Sequence, residues 1–175
     1  KIFTDVCSSN DVTDQEITVA SGDSSGVITT TTLSAGSHQL YVKASDLSGN
    51  ISCVGPLTYQ IDLQAPDPTV SLHSPAAPVN KEQQPQIKVD GITVGDSLEV
   101  FTEATCQSSN SVSSVIVATG SSQNIQTIQL SEGSYGLYVL VSDPLNNSTC
   151  KGPVNYQVDL TPTYPNIALD SNNLS

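Results

Sequence analysis

In YGLYVLVS, residues 135–142, Leu137, Val139 and Val141 point to one side of an extended chain while Tyr138 and Leu140 point to the other, because side chains alternate with period two along a strand. HQLYVKA, residues 38–44, repeats the pattern, with Leu40, Val42 and Ala44 set against Tyr41 and Lys43. A lysine belongs to water, so the Leu/Val/Ala side is the expected core side, and Tyr41 and Tyr138 fall on the outer face. Strand-like runs of this kind occur along the whole chain: EITVA (16–20), VITTTTL (27–33), LTYQIDL (57–63), TVSLH (69–73), PQIKVD (85–90), SLEVFTEA (97–104), SVIVATG (114–120), NIQTIQL (124–130) and VNYQVDL (154–160). Ser, Gly and Asn bound them, and none carries helical spacing.

The runs repeat as a block. Residues 33–63 recur at 130–160, ninety-seven positions later, with seventeen of thirty-one residues identical and no gap. A period that long is a domain rather than a solenoid turn. Seven short strands in the later copy, with turn signals between them, predict an all-β fold of tandem immunoglobulin-like antiparallel β-sandwiches, about seven strands per complete repeat. The expected divisions are 1–63, a repeat lacking its first strands; 64–160, a complete repeat; and 161–175, the first strand of a further one. The chain enters at a point matching about Phe101, since Cys7 answers Cys106, so the first copy has no counterpart of 66–98. QAPDPTV, residues 64–70, marks the boundary because Pro66 and Pro68 stiffen a short connection. TPTYPNIALDS, from Thr161, matches QAPDPTVSLHS in position.

Composition narrows the class. Aromatic residues are few (two Phe, six Tyr, no Trp), so β-branched residues must supply much of each modest core. Seventeen acidic residues against five basic ones give a net charge of −12, which argues against nucleic acid and anionic lipid as partners. No run is apolar and long enough for a membrane span, so no membrane insertion is expected in this segment, and KIFTDVC lacks a signal-peptide layout. A chain with no Met that starts in mid-repeat reads as a piece of a longer polypeptide.

The four cysteines, Cys7, Cys53, Cys106 and Cys150, fall two per copy without C-x-x-C spacing, which favours disulfides and an oxidising, extracellular compartment. Cys7 with Cys53 and Cys106 with Cys150 is the expected pairing; Cys7 with Cys150, across the junction, is the rival. Within-copy pairing requires residues 143–153, expected as a long loop, to fold back along the sheet, because bonded cysteines have Cα atoms within about 7 Å.

The pattern L-x-x-G-x-x-x-L-Y-V-x-x-S-D-x-x-x-N, followed by Y-Q-[IV]-D-L and a proline-bearing linker, is present in both copies. It resembles the bacterial Ig-like repeats strung in large surface adhesins and envelope fibres. The first copy keeps the D-x-x-G-N turn of that family at 46–50, whereas the second has Asp143, Pro144, Leu145, Asn146 and Asn147. The resemblance implies a bacterial cell-surface location and two kinds of partner: adjacent Ig-like repeats of the same or neighbouring chains, and a ligand on a host or prey cell.

Other motifs have plainer readings. GDSSG at 22–26 matches the serine-hydrolase pattern around Ser24, and GDSL at 95–98 matches an esterase block around Ser97. A strand follows each where a hydrolase needs a helix, so both read as turns. His38 is replaced by Tyr135 in the second copy, and neither His38 nor His73 has a nucleophile or acid that spacing would bring within reach. Asp62 and Asp67 flank the linker, and the fold would bring Asp96 and Asp143 to the same pole, a candidate calcium site at the junction. The alternative is that Asp46 and Asp143 cap turns through the backbone. No catalytic residue, metal ligand or cofactor is assigned. Asn50, Asn146, Asn147 and Asn173 each begin an N-x-[ST] triplet, common by chance in Asn- and Ser-rich loops.

The function expected from these observations is that of a non-enzymatic extracellular segment, the stalk or body of a surface adhesin or fibre. The alternative is a polymerising filament or sheath subunit. There, a neighbouring chain completes the first sandwich, which would otherwise expose an apolar face, and the orphan strand at 164–169 is the donor. A spacer in a secreted hydrolase is a third possibility.

Overall fold

The computed structural model describes residues 1–13, 17–20 and 23–164. They fall into two compact units, Lys1–Gln64 and Ala65–Ser175. In the first, β1 (Ile2–Phe3), β2 (Gly36–Ser45) and β3 (Ile51–Ile61) form an antiparallel sheet in the order β1-β2-β3. Residues 27–33, expected as a strand, form none, and only Thr30 makes an isolated bridge, to Thr13. Residues 17–20 are likewise not a strand, and Glu16 lies outside the described residues.

The second unit contains β4 (Thr69–Ser74), β5 (Val79–Asn80), β6 (Gln86–Asp90), β7 (Ser97–Phe101), β8 (Ile116–Val117), β9 (Ser122–Gln126), β10 (Gly133–Ser142) and β11 (Ser148–Val158). One sheet runs β5-β11-β10-β7-β8 and the other β4-β6-β9. All pairings are antiparallel except that of β5 with β11. This is an immunoglobulin-like sandwich, with the extra short strand β5 and with β8 trimmed to two residues. It also explains the missing strand of the first unit. The counterpart of 27–33 in the second copy overlaps β9, which is held by β6, and the first copy has no β6 sequence to bond to. A Thr-rich run is extended by preference, but a ladder needs a partner.

The core lies between the two sheets. Ile87 and Val89 of β6 and Ile125 of β9 meet Leu98 and Val100 of β7, Leu137, Val139 and Val141 of β10, and Val154, Tyr156 and Val158 of β11, all buried. The Leu/Val/Val side of β10 is therefore the core side, as its alternation predicts. Tyr156 reaches past the apolar layer to donate its hydroxyl to the Glu82 carbonyl at 2.6 Å, and burial raises its pKa.

Both long hairpins carry the same irregularity. Leu137 pairs with Val154 but Val139 with Lys151, so Tyr138 stands opposite both Gly152 and Pro153. In the first unit Leu40 pairs with Leu57 and Val42 with Val54. The extra residue is a β-bulge. It needs glycine: Gly152 has φ +153°, and a Cβ there would come within 2.7 Å of the Leu137 carbonyl oxygen. Residues 143–153 are thus not the long loop expected. They form a tight turn at 143–147 followed by the first half of an eleven-residue strand.

Candidate functional site

Three local arrangements hold the chemistry-bearing residues: a disulfide strap, an aspartate turn and an apolar face. The strap starts from register. Phe101, at the end of β7, lies opposite Tyr138, on the outer side of the sheet, and is buried although it stands outside the main core. Cys150 lies opposite Leu140, on that same outer side. Cys106, held at φ 47°, bonds to Cys150 with the Cα atoms 6.1 Å apart. The segment after β7 is thereby tied down over the outer face of β10 and β11.

The first unit repeats the strap. Phe3 pairs with Tyr41, Cys53 with Lys43, and Cys7, at φ 52°, bonds to Cys53 over 6.1 Å. Lys43, expected to face water, is only half exposed: its ammonium sits 5.7 Å from the centroid of the Phe3 ring. A lysine stem lies well along an aromatic surface while its head stays wet, and the ring face attracts the cation. Sequence alternation alone could not show this, because the ring arrives from another strand. Asp5 ties the loop ahead of Cys7 by accepting from the amides of Ser8, Ser9 and Asn10 and the hydroxyls of both serines. Those bonds, the Ser8 hydroxyl foremost, hold its carboxyl far below the usual range.

The aspartate turns close both hairpins. Asp143 accepts from the amides of Leu145 and Asn147 and from the Asn147 side chain at 2.8 Å. Asp46 does the same with Ser48 and Asn50. Only the Asp and the last Asn of the two turns are shared in sequence, and they are the two residues whose side chains bond.

The remaining acids of the candidate calcium site are engaged separately. Asp62 accepts from the Gln64 amide, Asp67 pairs with Lys151, and buried Asp96 accepts from the Thr93 amide. Among the described residues no three His, Cys, Asp or Glu side chains lie close enough to share a metal ion. Ser97 opens β7 behind that turn, and its hydroxyl contacts the Ser142 carbonyl. Ser24 is exposed and outside any strand, while Gly22 lies outside the described residues. The His38 ring nitrogen lies 2.8 Å from the Ser34 carbonyl, and the Tyr135 hydroxyl donates to the Ser131 carbonyl at 3.0 Å. The two equivalent positions thus make equivalent bonds, a structural use for His38. His73 is an exposed residue of β4. Asn50 and Asn147 spend their amides on the turns, Asn146 is exposed at φ 67°, and Asn173 lies outside the described residues.

The apolar face is the inward side of β2 and β3. Val42 and Ala44, expected in a core, are exposed, as are Leu57 and Tyr59. In the second unit the matching side is covered by the β4-β6-β9 sheet, for which this sequence holds no first-copy counterpart of β4 or β6. A groove beside the face is lined by Val42, Ala44 and Ile51 and by Ile17, Val19 and Ile28. Of the candidate further strand, residues 161–164 are extended but unpaired by secondary structure, and 165–175 lie outside the described residues.

No protein-family model and no curated protein matches the chain. Among solved structures, the fibronectin(III)-like modules of CbhA from Clostridium thermocellum are similar to it, with 14% identity over 83% of this chain and 76% of that one and a TM-score of 0.42.

Proposed function

We propose that this chain is an extracellular structural segment of tandem immunoglobulin-like repeats, part of the stalk or body of a bacterial surface adhesin or fibre, with no catalytic role. The supporting observation is the strap: each copy closes its own disulfide across the outer face of its long hairpin. A cross-link closing a loop of that size restricts the unfolded chain, and it persists only where thiols are oxidised. Such an element suits a module that must stay folded outside the cell, where it is not replaced or refolded. Asp-closed turns, bulged hairpins and a proline-bearing linker all favour a rigid bead over a moving part. The residue pattern resembling adhesin repeats points the same way.

The test is location combined with thiol state. Intact producing cells are treated with external protease and with a membrane-impermeant thiol reagent. The expected result is that the repeats are shaved from intact cells and take up label only after reduction. Recovery of protease-shielded protein with four reactive thiols would overturn the reading.

A further inference from the structure

The inward side of the β2–β3 hairpin is built as a core face and left open. Val42 is 44% exposed, Leu57 67% and Tyr59 55%, whereas their second-copy counterparts Val139, Val154 and Tyr156 are 0%, 8% and 2% exposed. Those counterparts show what the face accepts. In the second unit β4 lies against β11, and its alternate residues Val70 and Leu72 pack on the core.

The chain carries a second sequence of the β4 type. PNIALDS, residues 165–171, repeats PTVSLHS, residues 68–74: Pro165 stands for Pro68, Ile167 for Val70, Leu169 for Leu72 and Ser171 for Ser74. Ile167 and Leu169 are two apart, so on a strand they share a face. In its own unit that role is already taken by Val70 and Leu72. The one face of matching design left uncovered among the described residues is that of β2 and β3.

We propose that the segment 161–175 of one copy lies as a strand over the inward face of the β2–β3 hairpin of a second copy, Ile167 and Leu169 covering Leu57 and Tyr59. The proposal rests on the reading of the chain as a structural repeat and adds its partner, another copy of itself. The two surfaces differ, so the contact is heterologous and continues head to tail instead of closing on a dimer. The donated segment replaces β4 but not β6, which makes the joint weaker than the sandwich within the second unit. Main-chain pairing and alternate side-chain pockets are the usual means by which an added strand is held.

Sedimentation velocity of the full 175-residue chain over rising concentration tests this. The expected result is a progressive shift to dimers and longer species, abolished by the double substitution Ile167→Asp with Leu169→Asp while the melting of the second unit is unchanged. A synthetic peptide of residues 161–175, in excess, should dissolve the assemblies and slow amide exchange along β3. A chain that stays monomeric at every concentration overturns the proposal, whether its β3 is unprotected or is shielded by its own tail, and so does assembly that ignores the double substitution. Failure here with repeats exposed on intact cells sinks only the pairing; assembly by a chain shielded inside the cell sinks only the stalk reading.

Discussion

Asp143 closes its turn with a carboxylate that accepts three hydrogen bonds, two from backbone amides and one from Asn147. The Asn147 side chain is the main reason its pKa lies below the ordinary 3.8, with partial desolvation opposing and the Asn147 and Leu145 amides adding to the fall. Asp46 is lowered in the same way by Asn50, and Asp11 falls to about 2 through Thr13, with Lys1 adding to the effect. A carboxyl whose pKa is lower folded than unfolded stabilises the fold above the unfolded value and loses that contribution as pH falls through the folded one. Asp143→Asn keeps an acceptor but loses the charge, and a charge-assisted bond is the stronger kind. The expected outcome is a lower melting temperature for the second unit at neutral pH, with the gap to wild type closing as pH drops below 3.8. Circular dichroism melts of the two proteins across that range check it. A gap independent of pH would show that turn geometry, rather than charge, is what the aspartate supplies.

At the scale of elements, the long hairpins were legible because they are written twice: Leu137, Val139 and Val141 alternate, and Gly152, Pro153 and Cys150 recur as Gly55, Pro56 and Cys53. What one strand's sequence cannot contain is the other surface. Residues 27–33 alternate and branch like a strand but have no β6 to bond to, and Val42 has a core residue's neighbours in sequence without a sheet to cover it. Lys43 was misplaced for the converse reason, since Phe3 comes from elsewhere to lie beneath it. The bulge at Gly152 escaped notice too, although it puts Cys150 on the outer face, and so the within-copy disulfide looked harder to form than it is. The strap can be tested in this frame. Closing loops of 44 and 46 residues should contribute about 4 kcal/mol each by restricting the unfolded chain. Cys106→Ser with Cys150→Ser should lower the urea midpoint of the second unit by that order yet leave it folded on its own sandwich core. Cys7→Ser with Cys53→Ser should unfold the first unit outright, because little else closes it. Equal effects in the two units, read by urea titration, would mean that the first has a core comparable to the second.

The whole molecule is thus two units of unequal completeness on one strongly acidic chain. The second encloses its apolar residues between two sheets. The first has a single sheet with Ile2 and Phe3 buried but Leu57, Tyr59 and Val54 open to solvent. Stability follows burial of apolar surface, and local opening is easiest where that burial is least. A net charge of −12 adds self-repulsion that salt screens, and the first unit, with less burial to oppose it, should feel that repulsion more. Unfolding of the isolated chain at low protein concentration should therefore occur in two steps. Hydrogen exchange with mass detection should find the amides of β2 and β3 exchanging well before those of β6, β7 and β10, and the interval between the steps should narrow as salt is raised. The near-ultraviolet signal should persist through the first step, since Tyr156 is buried in the second unit whereas Tyr59 is largely exposed. A single cooperative transition, with β2 protected as well as β10, would mean that the two units share their stability and that the open face of the first is not open in solution.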